Sequence, residues 1–488
     1  MTDKTRRVIL GPLNRVEGDL EIRLEVSEQT VTQAWVNSPL FRGFEKILEG
    51  KSPSDALVYV PRICGICSVA QSVAAATALA DLQGIVPTQN GQLATNLTLA
   101  CENLADHLSH FYLFFMPDFA RPGYTGQPWY EATAKRFRAQ TGEATNQVLP
   151  ARAAFLHMTG LLAGKWPHSL ALQPGGTSKA LTRGEQLRLQ TLIVSFRRFL
   201  EKILFGDNLE NVASLSSSDQ LNTWHQEHPH SDFGRFLTIA NQLRLEHMGR
   251  AADRFMSFGA YALPQGHLFK RGVSTLDSNE FKPRELDSST IAEDISNSWL
   301  NGPKTPAHPY QGSTDPDPDQ QGYSWCKAPR LNGQIVEVGA LARQVVNEHP
   351  LLLDMVAKQG ANVCNRVVAR LLELALVVPE MEKWCDQLQS GKAYCTEGNT
   401  PDSGTGEGMI EAARGSLGHW LQVKEGKISS YQIIAPTTWN FSPRDALGQP
   451  GALEKALEST AVTGDIEDSL AVQHIIRSFD PCMVCTVH

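Results

Sequence analysis

No stretch of this 488-residue chain holds the roughly 20 consecutive apolar residues that a membrane-spanning helix requires. No block of lysine and arginine stands out, and the net charge is −8, which argues against a nucleic-acid partner. The opening MTDKTRRVILGPLN lacks the charged-then-apolar pattern of a secretory leader, so the expected location is the cytoplasm. There is no internal repeat and no low-complexity tract. Length alone allows roughly two to four domains, but no linker stands out, so one interlocked body over residues 1–488 is expected. Hydrophobic residues make up 42% of the chain, enough for a large core. Cys101, Cys326, Cys364, Cys385 and Cys395 share no regular spacing, and they read as buried fillers or free thiols of a reducing compartment.

The other four cysteines form two short pairs at opposite ends of the chain: Cys64 and Cys67 in RICGIC, and Cys482 and Cys485 in DPCMVCTVH. Each CxxC presents two thiolates to one metal atom, and two pairs brought together make a four-sulfur site. The plain alternative is a structural zinc site. A zinc ribbon, however, sets its pairs roughly 15–20 residues apart, whereas more than four hundred residues separate these. Their neighbours Ile63, Ile66, Val69, Pro481, Met483 and Val484 are apolar, which points to a buried site of low dielectric. The fold must therefore bring both ends of the chain together.

Alternation in LEIRLEV, Leu20–Val26, and in TVTQAWV, Thr30–Val36, predicts a strand pair. From Val69 the pattern turns helical, which places the first cysteine pair at a helix N-terminus, where partial positive charge favours thiolates. Further helices are expected at 91–115, 184–205, 235–258, 340–359, 363–387, 452–459 and 467–478. Residues 259–336 read as strands and loops, with 313–322 the clearest exposed loop, and 403–434 as loop followed by strands or a hairpin. The expected fold is α+β and mainly helical. A central helical bundle (61–258 and 337–400) would carry an N-terminal β-sheet within 1–60 and peripheral β segments, with the final metal-binding segment inside 401–488.

Nine blocks in order give the chain a specific resemblance: NRVEGDLE, FRGFE, RICGIC, DHLSHFY, WCKAPR, EVGALAR, ARGSLGHW, APTTWN and DPCMVCTVH. They resemble the large subunit of nickel–iron hydrogenases. The resemblance implies a nickel–iron centre with carbon monoxide and cyanide on the iron, and a partner small subunit that carries iron–sulfur clusters, as a heterodimer or a dimer of heterodimers. Such large subunits are often exported with their small subunit, which weakens the argument from a missing leader. Carried over, Cys64 and Cys482 are terminal nickel ligands, and Cys67 and Cys485 bridge the two metals. Glu17 matches the first proton acceptor; its plain alternative is a surface carboxylate paired with Arg15. Arg414, held by Asp106 and Asp480, matches the arginine above the open metal face, where a permanently protonated group polarises dihydrogen or holds the cyanides. A buried Arg–Asp set is also a common structural network. Thr437 matches a hydroxyl that donates to cyanide, against the alternative of a local turn bond. Glu45, His488 and the backbone carbonyl of Ile433 match a second metal site, usually magnesium. His107 and His110, three apart on a helix, read as core histidines packed against the C-terminal segment.

Several positions depart from the family pattern. Gln71 stands where catalytic relatives have a histidine beside a bridging sulfur, and an amide does not titrate. Ile66 and Phe114 stand where valine and leucine are common on the gas tunnel, and Ala413 where many have proline. The chain stops at His488, where relatives often carry a removable peptide. Gln71, Ile66, Phe114 and the chain end together resemble the regulatory, hydrogen-sensing branch, which implies slow turnover, tolerance of oxygen and a histidine kinase as a further partner; Ala413 implies slightly more room beside the iron ligands. The alternatives are an uptake hydrogenase that supplies electrons and, more distantly, a metal-free relative of the quinone-site subunit of respiratory complex I.

Overall fold

The structure is a computed structural model that describes residues 6–462 and 469–487. The N-terminal residues form a three-stranded antiparallel sheet of Arg6–Leu10, Glu21–Ser27 and Thr30–Asn37. Alternation buries Ile22, Leu24 and Val26 on one face, as the sequence predicts. Glu28 and Gln29 turn the hairpin with φ of 47° and 60°, the left-handed pair that matches strand twist.

The centre is helical. Helix Gln89–Ser109 is buried along almost its whole length and continues as a π-helical turn, His110–Phe115. It packs against helices Ser68–Gln83, Thr145–Ala163 and Val363–Gln387. Thr88 and Asn362 cap their helices by accepting from the backbone N–H of Gly91 and Asn365. One apolar cluster runs from Leu10 of the N-terminal sheet through these helices to Cys485. A smaller one gathers Met256, Phe258, Trp420 and Trp439. No helix among the described residues is long and apolar enough to cross a membrane.

The sequence and the structure part at several places. The helix predicted at 235–258 ends at Leu243, where Arg244 turns left-handed with φ of 55°, and the chain re-enters as strand Arg254–Leu263. That strand is buried on both faces, which erases the period-two signal. Helix Thr145–Ala163 escapes the sequence reading because Pro150 lies inside it. The helix predicted over 340–359 is two, Ala340–Val346 and Pro350–Gln359, broken at Glu348, whose φ is 61°. The strands predicted in 403–434 are there, as a three-stranded meander of Gly404–Ala412, Gly415–Lys424 and Lys427–Ile434. Loop 313–322 is exposed or half-exposed except at Thr314, which turns inward. The last predicted helix is described as Leu470–Ser478; its first residues lie outside the described ones.

Candidate metal centre

The two cysteine pairs meet. All four sulfurs lie within 4.8 Å of one another. Cys64 Sγ is 3.6 Å from Cys482 Sγ, and Cys67 Sγ is 3.0 Å from Cys485 Sγ. None is disulfide-bonded. Cys64, Cys482 and Cys485 are buried and Cys67 is half-buried. One tetrahedral zinc with bonds near 2.3 Å would hold its sulfurs about 3.8 Å apart; Cys64–Cys482 is near that spacing, whereas Cys67–Cys485 at 3.0 Å and Cys482–Cys485 at 3.1 Å are closer. The Cys64 thiol is held well below its ordinary value, chiefly by hydrogen bonding from Cys482, while burial pushes the Cys485 thiol well up. Soft, deprotonated sulfur donors suit nickel and iron.

Local chain geometry explains how the ends meet. Glu17 forms a parallel bridge with Cys482, with Met483 N–H donating to the Glu17 carbonyl at 2.7 Å. Gly18 makes room for this contact: its φ is +81°, and a Cβ there would lie 2.9 Å from Val484 Cγ1. Arg42 clamps both cysteine loops by donating to the carbonyls of Ile63 and Val484. Thr438 donates to the Thr486 carbonyl at 2.9 Å. Cys67 is the N-cap residue of helix Ser68–Gln83, where the helix end favours its thiolate.

The charged residues named from the sequence surround the sulfurs. Arg414, 4% exposed, lies 2.8 Å from Asp106 and 3.2 Å from Asp480, and its Nε donates to the Asp480 carbonyl at 2.9 Å. Burial raises Asp106, with Arg414 pulling the other way. Burial also opposes the Asp480 charge, but Arg414, His110 and Arg370 hold that carboxyl below its ordinary value. Glu17 is pushed above the usual carboxylate value first by burial and then by the Cys64 charge, against the pull of Arg414. Thr437 Oγ1 accepts the Cys482 N–H at 3.2 Å, which leaves its own hydrogen free to donate.

Gln71 is buried one turn beyond Cys67, and its Oε1 accepts from His419 Nε2 at 2.9 Å. His419 Nδ1 in turn lies 2.8 Å from the Tyr431 hydroxyl, and burial pushes this imidazole down to about 3, so it is neutral. Ile66 is half-buried against the core, whereas Phe114 lies half-buried outside that packed cluster. His107 bonds Glu373 at 2.7 Å, and His110 bonds the Arg477 carbonyl at 2.7 Å, so both are core histidines. Only His110 reaches the C-terminal segment.

A second buried cluster lies at Glu45. Its carboxylate accepts from the Ile433 N–H at 2.6 Å and from the Thr314 hydroxyl. The Lys327 ammonium lies 3.5 Å from Glu45 and 3.4 Å from Glu293. One ammonium thus faces two buried carboxylates, Glu293 Oε1 has no partner among the described residues, and a cavity of about 10 Å³ lies between them. The imbalance and the oxygen donors fit one small hard cation. His488, the expected third ligand, lies outside the described residues.

Three supporting residues escaped the sequence reading. Arg42 is the clamp described above. Glu102 accepts from the N–H groups of Val69 and Ala70, both at 2.9 Å. Arg343 pairs with Glu373 and Glu411 and donates to the carbonyls of Ala412 and Ala413, just before Arg414. A carboxylate in the mostly apolar run LTLACENLADHL was the one signal for Glu102.

Residues 42–124 and 121–488 match the family model described as nickel-dependent hydrogenase. The periplasmic [NiFeSe] hydrogenase large subunit of Desulfomicrobium baculatum is 30% identical over 99% of this chain and 95% of its own length. The uptake hydrogenase large subunit of Rhodobacter capsulatus is 26% identical over 99% of this chain and 95% of its own. The Ni-Fe-Se hydrogenase structure from D. vulgaris Hildenborough superposes with a TM-score of 0.85 at 28% identity, covering 99% of this chain and all of that one.

Proposed function

The chain belongs to the nickel-dependent hydrogenase family as a large, catalytic subunit, and from that premise we propose that it splits dihydrogen at the four-cysteine centre and passes the electrons to an iron–sulfur partner subunit. The observation that carries the proposal is four sulfurs within 4.8 Å of one another, beside a buried arginine held between two aspartates. A nickel–iron centre with carbon monoxide and cyanide on the iron would supply the two-electron chemistry. Cys64 and Cys482 would hold it as terminal ligands, and Cys67 and Cys485 as bridges. Arg414 keeps a positive charge over the site. Thr437 offers its free hydroxyl hydrogen. Glu17, fixed to Cys482 through the backbone, takes the proton; a carboxyl raised toward neutrality accepts and releases one readily. Glu45 and Ile433, joined by His488, would hold magnesium.

The test is exchange between deuterium gas and water protons by the purified protein with its partner subunit. Glu17→Gln keeps size but removes the titrating group, so exchange should fall at least tenfold, about 1.4 kcal/mol of barrier, with nickel content unchanged. Undiminished exchange would place the proton route elsewhere.

The names of the similar relatives support electron supply as the purpose, rather than the sensing role the sequence suggests. One observation favours sensing as a second reading: Gln71 is tied to a neutral His419, so no titrating group stands at that position beside the bridging sulfur. A sensor turns over slowly, near or below the bottom of the usual range of roughly 1–10³ s⁻¹. It also resists air, and Ile66→Val with Phe114→Leu should make it oxygen-sensitive while hydrogen binding persists. Fast turnover, or unchanged hydrogen-dependent transcription after loss of the gene, would leave electron supply as the role.

A further inference from the structure

Helix Ser68–Gln83 starts directly after Cys67, and its N-terminus has no cap of its own, because Cys67 occupies the cap position and makes no side-chain cap bond. Four donors at a helix start need partners. Here a residue from another helix serves two of them. Glu102, 3% exposed on helix Gln89–Ser109, accepts from Val69 N–H with Oε2 and from Ala70 N–H with Oε1, both at 2.9 Å. The Ser68 hydroxyl lies 3.4 Å from Oε2. The same Oε2 accepts the indole N–H of Trp166 at 2.9 Å. Trp166 belongs to a half-buried loop, Trp166–His168, whose His168 N–H donates to Ser68 Oγ at 3.3 Å and whose ring bonds the Pro61 carbonyl at 2.8 Å. Pro167 lies 3.8 Å from where a Cβ on Gly65 would stand, between the first two cysteines. Among the described residues no lysine or arginine pairs with Glu102, so its binding capacity is spent on these donors.

We propose that Glu102 is a positioning residue that caps the Cys67 helix from outside and couples the Trp166–His168 loop to the geometry of Cys67. This rests on the reading of the four cysteines as the nickel centre. The carboxyl group presents acceptor oxygens in two directions, one toward each backbone N–H. An amide has only one, so Glu102→Gln sets an NH2 group against a buried donor while keeping shape. Trp166→Phe removes one donor from Glu102 at a residue whose bond to the helix runs only through that carboxyl.

The experiment compares parent, Glu102→Gln and Trp166→Phe, each purified with its partner subunit. Three quantities are read: nickel per chain, amide hydrogen exchange of residues 68–71, and the spectroscopic signature of the nickel. Both variants should retain nickel. Exchange of the Val69 and Ala70 amides should speed up at least tenfold in Glu102→Gln and less in Trp166→Phe. The nickel signature should shift in both, in the same direction, with Trp166→Phe the smaller. An unshifted signature in Trp166→Phe makes Glu102 a structural cap only and overturns the coupling. Unchanged amide exchange in Glu102→Gln overturns the cap. Absence of nickel from the parent would refute the metal reading instead, and the amide exchange still decides the cap.

Discussion

Cys67 and Cys485 approach each other to 3.0 Å although more than four hundred residues separate them. On the proposed assignment these two sulfurs would be the ones shared by the metal pair. Cys67→Ser or Cys485→Ser should therefore remove nickel and iron together and abolish activity; metal analysis that finds either variant fully loaded would refute the bridging assignment. Thr437 acts on the same segment from the side. Thr437→Val deprives the buried Cys482 N–H of its acceptor, a loss of about 1–3 kcal/mol, so thermal unfolding should come earlier, whereas Thr437→Ser should unfold like the parent. The cysteines and the charges around them were legible in the sequence because each sits in a contiguous motif. The roles of Arg42, Glu102 and Arg343 were not, although Arg42 and Arg343 also lie in such motifs. Their partners, Val484, Ala70 and Glu373, lie on other elements and share no sequence spacing with them. Their role is set by which elements the fold lays side by side.

At the scale of elements, the docking of the C-terminal segment depends on the turn that carries Glu17 and Gly18. Gly18→Ala adds a Cβ 2.9 Å from Val484 Cγ1 in a backbone region with φ of +81°, and strain of this kind costs on the order of 1–3 kcal/mol. The variant should load less nickel and expose the C-terminus to protease; normal loading with parent-like protection would show that the bridge between Glu17 and Cys482 does not hold the segment. Elements with a clean period, such as strand Glu21–Ser27 and helix Val363–Gln387, were read almost to the residue. Strand Arg254–Leu263 was not, because burial on both faces removes alternation. Helix Thr145–Ala163 was hidden by Pro150, which its tertiary packing tolerates.

Over the whole molecule, buried ion pairs tie the helices to the hairpin whose turn presents Arg414. Glu373 is held down at about 2: burial opposes its charge, and Arg343, bonded at 2.7 Å and 2.8 Å, more than offsets that. Because its folded value lies below the ordinary 4.5, the stability it contributes is fully present above that pH and is lost as pH falls toward 2. Acid unfolding followed between these limits should show that loss, and Glu373→Gln should flatten it while lowering stability at neutral pH by about 3–5 kcal/mol, the cost of breaking a buried pair. An unchanged acid profile in the variant would assign the dependence to other carboxylates. The central claim is that the two ends of the chain close around nickel and iron. Metal analysis of the purified protein tests it most directly: the account predicts one nickel and one iron per chain at the cysteines, and zinc alone, or no nickel in protein made with nickel available, would contradict it.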